Sequence, residues 1–319
     1  MRDARGAYAR GMSSPAQIVI VEGGEHWVAW DKGQGALGGE CVLFVSSPHE
    51  MDRYKDWYDR RWNRGPDAVY LVDHDRRVLL FSFIYTYDLP DAQAYRAMLL
   101  RLVRHMWKGW RVDWAYNGVE DVVAHLGLDV SVLGPDPGRP RPRPRRPALH
   151  HRRPDDQNHC LVTVDDGSAV RAYGVTPASD ELLGLGPQLL ERLPEEARLV
   201  ACESVPRAGL HVDLPTRTGG YWTQGFIHGA LYEASRTWPG WRWDFWEDDY
   251  TVQRARAGGA VTIPDPDVGT AITDFVTRRA RLLGWDAELA RSLLPEVLAE
   301  PDDERRIAAL ADFIQVMPY

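Results

Sequence analysis

Trp107-Lys-Gly-Trp-Arg-Val-Asp-Trp114 and Trp238-Pro-Gly-Trp-Arg-Trp-Asp-Phe245 are two copies of one motif within a chain of 319 residues. Five of the first seven positions are identical, and they include tryptophan and glycine, which are rare or conformationally special residues. The match extends backwards at constant spacing to Val69 and Val200, although overall identity is low. Because self-similarity of this kind is the signature of an internal repeat, the sequence predicts an old tandem duplication.

The apolar pattern predicts the same element order in both copies, β-β-α-β-β-α-β. Alternating apolar residues indicate strands, and apolar residues three and four apart indicate helices. For repeat 1 we predict strands at residues 18–21, 40–45, 68–72 and 78–86 and helices at 48–62 and 91–106. For repeat 2 we predict strands at 160–164, 170–175, 198–204 and 210–214 and helices at 179–193 and 221–236. The tryptophan motif adds the last strand of each copy.

These elements predict an α+β fold made by tandem duplication, with pseudo-twofold symmetry between the copies. An antiparallel sheet with both helices on one face is the simplest way to bury their apolar sides. A C-terminal helical tail follows, because apolar stripes at helical spacing replace the strand pattern there. The predicted boundaries are a disordered N-terminal arm at 1–16, repeat unit 1 at 17–133, a Pro/Arg-rich linker at 134–157, repeat unit 2 at 158–263 and the tail at 264–319.

The linker between the copies is too rich in proline and arginine to build a core. Seven arginines lie between Arg139 and Arg153. Such a composition is typical of a semi-rigid polyproline spacer, and a basic arm for an acidic partner is the alternative interpretation.

The composition indicates an ordinary globular protein and argues against several classes. A net charge of −8 opposes a dedicated nucleic-acid binder, because such proteins neutralise phosphates. Three cysteines without CxxC spacing indicate neither a disulfide framework nor a zinc knuckle. No apolar stretch approaches the length of a membrane span, so we expect a cytoplasmic protein without a membrane partner. The use of arginine in place of lysine is typical of a GC-rich bacterial genome, such as an actinobacterial one.

The sequence contains none of the strong catalytic or nucleotide-binding signatures. Walker, GxSxG and HExxH motifs are absent. The segment Gly33-Gln-Gly-Ala-Leu-Gly38 has glycines at a suggestive spacing. No helix is predicted directly after it, so a flexible loop is the simpler interpretation. We therefore expect no cofactor and no bound metal.

Positions that are apolar in one copy and ionisable in the other identify residues that changed their role after duplication. At constant spacing, His211 replaces Leu80 and Asp213 replaces Ser82. His211 and Asp213 share one face of a strand because side chains alternate, and Glu203 lies on the predicted partner strand. We name these three as candidate general acids or bases, with His211 titrating near neutral pH. The alternative is that they lie on the solvent side of the sheet.

Aromatic and acidic residues around the second tryptophan motif are candidates for ligand binding. Trp243 and Trp246 are suited to form the walls of an aromatic box for a flat or cationic molecule. We add three polar residues from the same part of repeat 2, namely His228, Asp244 and Glu247. The alternative is that the tryptophans of both motifs fill a core.

Together these observations predict a protein that binds a small, partly aromatic or cationic molecule in a pocket of or between the repeats. Acid/base chemistry on that molecule, as in specialised metabolism, is part of this hypothesis. The alternative is a non-enzymatic protein-interaction module, such as an immunity-like inhibitor that binds a basic partner through an acidic surface. The sequence does not decide between an enzyme and a binding protein, and it leaves the oligomeric state open.

Overall fold

A computed structural model of the chain describes residues 15–32, 48–57, 61–63, 65–83, 92–134, 150–151, 159–176, 180–225, 230–283 and 287–316. The predicted strand at 40–45, the glycine-containing segment at 33–38 and nearly all of the linker lie outside these residues.

The described strands are β1 (Ala16–Glu22), β2 (Glu25–Asp31), β3 (Ala68–Asp73), β4 (Val78–Phe83), β5 (Arg111–Trp114), β6 (His150–His151), β7 (Cys160–Asp165), β8 (Val170–Thr176), β9 (Arg198–Leu199), β10 (Ala208–Asp213), β11 (Thr218–Thr223) and β12 (Arg242–Phe245). The described α-helices are α1 (Ala92–Met106), α2 (Val119–His125), α3 (Gln188–Glu191), α4 (Ala230–Thr237), α5 (Tyr250–Arg256), α6 (Val268–Leu283), α7 (Ala287–Ala299) and α8 (Asp303–Val316). Short 3-10 helices lie at Pro48–Trp57, Val130–Leu133, Asp180–Leu185 and Glu195–Ala197.

Both copies form a five-stranded sheet of the same topology, which confirms the predicted α+β duplication. The strand order is β2-β1-β3-β4-β5 in repeat 1 and β8-β7-β10-β11-β12 in repeat 2, where β6 and β9 extend the sheet beyond β8. The sequence predicted antiparallel sheets, but both sheets are mixed. In repeat 1 the pairs β1–β3 and β4–β5 are parallel, and in repeat 2 the pairs β7–β10 and β11–β12 are parallel. The chain passes through α1 between β4 and β5, and such a crossover makes the strands that it joins parallel.

The hairpins of the two copies align differently from the prediction. The hairpin of repeat 2 is formed by β10 and β11, so the predicted hairpin that used residues 198–204 is wrong. Asp73 and Asp213 each end the first strand of a hairpin, and each accepts a hydrogen bond from the backbone N–H three residues later. Arg77 and Arg217 follow with φ angles of 53° and 52°. The two turns are therefore equivalent, and one constant spacing does not align the copies.

The predicted helices also need correction. The helix predicted at 221–236 begins only with α4, because its first residues belong to β11. The helix predicted at 48–62 is 3-10 helix over most of its described length, and the helix predicted at 179–193 consists of a 3-10 segment at Asp180–Leu185 and the short α3. In the second of these, Gly186 has a φ of 61° and precedes Pro187, so the 3-10 segment ends before the short α3.

Helices cover both faces of the repeat 2 sheet, whereas the sequence predicted helices on one face. On one face, Ala234 of α4 and the adjacent Trp238 belong to a buried core with alternate residues of β7 and β10. On the other face, Tyr250 of α5 packs in a core with Leu161 and Trp222. The helices α2 and α5 follow the tryptophan motif at equivalent positions, so the duplication extends beyond the motif. Both are short, and the sequence analysis did not predict them.

The chain divides into two compact units that do not coincide with the copies. Unit 1 consists of residues 1–86, 97–136 and 269–319, and unit 2 of residues 87–96 and 137–268. Unit 1 therefore contains α7, α8 and nearly all of α6, and unit 2 contains the first turn of α1. Within unit 1 these C-terminal helices bury apolar side chains that include Ile272, Phe275, Ile307 and Leu310.

Unit 2 contains a buried ion pair between Arg96, in the N-terminal part of α1, and Asp248. The side chain of Arg96 is 1% exposed, and its Nη1 donates to Oδ2 of Asp248 at 2.9 Å. Nη2 of Arg96 donates to the carbonyl oxygen of Gln224. Nε2 of Gln93, one turn earlier, donates to the carbonyl oxygen of Asp248 at 3.2 Å. Because a buried guanidinium without its carboxylate is costly, Asp248 should be essential for the stability of unit 2.

We predict that Asp248→Ala lowers the free energy of unfolding of unit 2 by about 3 kcal/mol, because it leaves the charge of Arg96 buried and without its carboxylate. Asp244→Ala removes an exposed carboxylate from the same part of the chain and should change stability by less than about 0.5 kcal/mol. Urea denaturation followed by circular dichroism measures both. Equal effects of the two substitutions would show that Arg96 does not depend on Asp248.

Candidate functional site

Three of the predicted site residues lie together on one side of the repeat 2 sheet. His211 and Asp213 lie on the side covered by α5, because Val212 between them belongs to the opposite core. The ring of Trp246 packs over Gly220, where an added Cβ would lie 1.8 Å from it. Gly220 is the partner of His211 in the pairing of β10 with β11. The indole of Trp246 and the imidazole of His211 therefore occupy neighbouring positions on this side.

Trp243 does not join this group. Its ring packs over Gly219 on the opposite side of the sheet, in the core that contains Trp238. The centroids of the Trp238 and Trp243 rings are 5.0 Å apart. The predicted aromatic box with Trp243 and Trp246 as its walls is therefore wrong. Trp243 packs against the core, as the alternative interpretation predicted.

The remaining predicted residues are dispersed. Glu203 is exposed and lies outside the strands, so its predicted place opposite His211 is wrong. The strands that pair with β10 are β7 and β11. Asp244 and Glu247 are exposed and lie two residues before and one residue after Trp246. His228 lies outside the described residues.

A buried amide side chain, Gln253 of α5, connects the strands of repeat 2. Its Nε2 lies within hydrogen-bond distance of the carbonyl oxygens of Leu161 at 2.9 Å and Leu210 at 3.0 Å. The same atom donates to Oγ1 of Thr163 at 3.0 Å, and Oε1 accepts from Nε1 of Trp222 at 2.6 Å. These bonds satisfy both ends of an amide that is completely buried.

Repeat 1 has an apolar core at the corresponding place. The strand registers and the helix positions align four residues of repeat 2 with four of repeat 1. The pairs are Thr163 with Val19, His211 with Leu71, Trp222 with Ser82 and Gln253 with Val122. His211 therefore replaced a buried leucine, although it is a different leucine from the one that constant spacing indicated. Each member of the repeat 2 set contacts another member through a polar atom, so the four residues form one hydrogen-bonded network.

Thr163 holds the imidazole of His211 from within the core. Nδ1 of His211 lies 2.9 Å from Oγ1 of Thr163, and the residue is 3% exposed. Burial lowers the pKa of His211 below its ordinary value of 6.5, and the positive charge of Arg256 lowers it further. The carboxylates of Asp165 and Asp213 act in the opposite direction but do not cancel the effect. His211 is therefore neutral near pH 7, with Nδ1 held by the hydroxyl.

Charged groups of both signs surround this imidazole. The guanidinium carbon of Arg256, at the end of α5, lies 5.3 Å from the centre of the Trp246 ring, a cation–π distance. The pKa of Asp213 is lowered mainly because the backbone N–H of Thr216 donates to its carboxylate. Asp213 is therefore ionised at neutral pH. We call the group formed by Asp165, His211, Asp213, Trp246 and Arg256 the His211 site.

Sequence reasoning missed Thr163, Asp165, Gln253 and Arg256. Thr163 lies in a strand that was predicted correctly, and a polar residue within its apolar run was the available signal. Asp165 lies one residue beyond the predicted end of that strand. Gln253 and Arg256 lie in α5, which was not predicted. The two helices follow the tryptophan motif at the same distance, but Val119–His125 and Tyr250–Arg256 share too few residues for the sequence to reveal them.

No family model, no curated protein and no solved structure matches the chain. In the part of the chain that the structure describes, no group of three or more His, Cys, Asp or Glu residues is placed to hold a metal ion. Among the described helices, none is both long and apolar enough to cross a membrane. The assignment of a function therefore depends on the geometry of the His211 site.

We predict that His211 makes unit 2 less stable as the pH falls. Its pKa is lower in the folded protein, so the unfolded chain takes up the proton first. The stability is complete above pH 6.5, the ordinary value, and decreases below it until the folded protein is also protonated. The loss is at most about 1.4 kcal/mol per pH unit.

Urea denaturation between about pH 7.5 and 5 measures this effect, and His211→Leu, which introduces the residue of repeat 1, should reduce the pH dependence. His105→Gln alters a half-buried histidine of α1 and serves as the control. If His211→Leu and the native protein had the same pH dependence, the folded pKa of His211 would not be lowered.

Proposed function

We propose that unit 2 binds a small, partly aromatic or cationic molecule at the His211 site, and that His211 exchanges a proton with it. The observation that carries this proposal is the hydrogen bond that Thr163 makes to Nδ1 of a buried, neutral imidazole. Enzymes commonly hold one ring nitrogen in this way so that the other nitrogen acts on a ligand.

The polar core beneath His211 supports a role in positioning. Four buried, hydrogen-bonded residues are a costly substitute for the mostly apolar set of repeat 1, because each unsatisfied member costs about 1–3 kcal/mol. Such a network is favoured where its bonds fix the position of a functional group. Gln253 holds Thr163, and Thr163 holds the imidazole. Repeat 1 folds into the same sheet with apolar residues at three of these positions, so the network is not required by the fold.

The surroundings of His211 support the class of ligand. Trp246 offers an aromatic surface beside the imidazole, which suits a flat molecule or a cation. Asp165 and Asp213 carry two negative charges and Arg256 carries one positive charge. The net charge of −1 favours a positively charged ligand over an anion. Such a ligand would compete with the guanidinium of Arg256 for the face of Trp246.

The chemistry of the site is a proton transfer at Nε2 of His211. In the tautomer in which Nδ1–H donates to Oγ1 of Thr163, Nε2 of the neutral ring carries the lone pair. Nε2 takes a proton from the bound molecule, and the ring becomes an imidazolium. The carboxylates of Asp165 and Asp213 stabilise the positive charge, since both raise the proton affinity of the ring. Return of the proton from Nε2 to the ligand or to water restores the neutral ring. This contribution requires no cofactor.

The test is a thermal-shift screen of the full-length protein against flat aromatic amines, followed by calorimetric titration in two buffers of different ionisation enthalpy. At one hundred times the dissociation constant, a specific ligand stabilises the protein by about 2.7 kcal/mol. We expect an aromatic amine to bind with a change in bound protons. His211→Leu should abolish that proton change, and Trp246→Ala should weaken binding by about ten-fold.

His105→Gln is the matched control and should bind the same ligand with the same affinity and proton change. Two results would contradict the proposal. The first is that no aromatic amine in the screen raises the melting temperature. The second is that a ligand binds equally well, with the same proton change, to the native protein and to His211→Leu.

A further inference from the structure

We propose that unit 1 carries a separate binding site for a compact organic cation, an ammonium or guanidinium group, in a cavity between the β1–β2 turn and the β3–β4 turn. The cavity has a volume of about 150 Å³. A cavity of this size holds a molecule of about the size of benzene, so it suits a small cation or the head group of a larger one. Its apolar wall is formed by Val21 and Leu126 and its polar wall by Glu25, Asp73, Asp75 and Arg76.

The Asp75 carboxylate is fixed at the mouth of this cavity. Its two oxygens accept hydrogen bonds from the backbone N–H groups of Gly23 at 2.7 Å and Gly24 at 2.8 Å. These two bonds lower the pKa of Asp75, so the carboxylate stays ionised at neutral pH. Each oxygen keeps a second acceptor position, because a carboxylate oxygen accepts more than one hydrogen bond.

Asp73 places a second carboxylate at the base of the cavity. The residue is 1% exposed, and its Oδ1 accepts from the backbone N–H of Arg76 at 2.9 Å. Its Oδ2 lies 2.8 Å from Nε2 of His125, at the end of α2. A buried carboxylate that is held from two sides is an ordered acceptor and not a mobile surface charge.

The guanidinium of Arg76 makes one long ion pair with Asp73, and its shorter contact is a hydrogen bond at the end of α2. Its Nη1 donates to the carbonyl oxygen of His125 at 3.0 Å, whereas its Nε is 3.9 Å from Oδ2 of Asp73. With Glu25 and His26 included, the described lining carries three carboxylates, one guanidinium and one imidazole. The resulting excess of negative charge selects a cation, and the apolar wall selects an organic one.

Repeat 2 shows that this cavity is not a necessary consequence of the fold. The equivalent of Asp75 is Pro215, and the equivalent of Gly23 is Gly167, because the turns of the two copies have the same length. Pro215 packs so closely on Gly167 that an added Cβ would lie 2.9 Å from Cγ of the proline. Repeat 2 therefore brings its two turns together with a proline ring, where repeat 1 has a carboxylate and an open cavity.

The experiment is a titration of the ¹⁵N-labelled full-length protein with methylguanidinium, observed by NMR at the amides of Gly23 and Gly24. These amides bind Asp75 and report on the mouth of the cavity. We expect saturable shifts with a dissociation constant of about 1 mM, the scale for so small a ligand. Asp75→Asn and Glu25→Gln should each weaken binding by about ten-fold, because each removes one negative charge.

Asp129→Asn is the matched control, since Asp129 is another carboxylate of unit 1 that accepts a backbone N–H and has a lowered pKa, but lies outside the cavity. Its binding should equal that of the native protein. Glu25 is exposed, so Glu25→Gln tests the proposal even if Asp75→Asn disturbs the turn.

Three results would overturn the proposal. One is that neutral methylurea produces the same shifts, and another is that Ca²⁺ or Mg²⁺ does so while organic cations do not. The third is the absence of saturable shifts up to about ten times the expected dissociation constant. None of these outcomes bears on the His211 site, because its variants and its ligand are tested separately.

Discussion

The side chain of Gln253 is the contact on which the arrangement of repeat 2 depends. It extends from α5 to the middle of the sheet, where it contacts two carbonyl groups, a threonine hydroxyl and an indole N–H. A buried amide without partners costs about 1–3 kcal/mol, so α5, three strands and Trp222 must keep one register. Gly209 is part of this constraint, because a Cβ there would lie 1.9 Å from Oε1 of Gln253. The held, neutral imidazole of His211 is a consequence of this packing.

The duplicated fold explains how one scaffold accommodates two different environments. Each copy keeps the turn in which Asp73 or Asp213 accepts a backbone N–H, since that hydrogen bond stabilises the hairpin. Around this common turn the copies diverged. Repeat 1 has an apolar core and a cavity beside Asp75, whereas repeat 2 has Pro215 between its turns and a polar network in its core. The two proposed sites therefore use different residues and different chemistry.

The tryptophan motif predicted the duplication correctly, because its buried indoles, Trp107 and Trp238, and its glycines with positive φ, Gly109 and Gly240, tolerate few replacements. It did not reveal the shift in alignment, since the stretch from the end of the hairpin to the motif is nine residues shorter in repeat 2. Constant spacing therefore matched His211 with the wrong leucine and treated Asp213 as new, although it corresponds to Asp73. His211 and Asp213 were still found on one face, because alternation along a strand does not depend on the alignment. Gln253 could not be found by the same reasoning, since its role depends on a short helix whose position is set by packing and not by periodicity.

The most direct test of this account is an NMR titration of the histidine ring nitrogens in the native protein and in Thr163→Val, with His211 assigned from His211→Gln. The account predicts that His211 titrates below its ordinary pKa of 6.5 and that Thr163→Val changes the Nδ1 shift while the other histidines keep theirs. A His211 ring that titrates at or above 6.5, or whose Nδ1 shift is unchanged in Thr163→Val, would contradict the claim that the buried network holds a neutral imidazole.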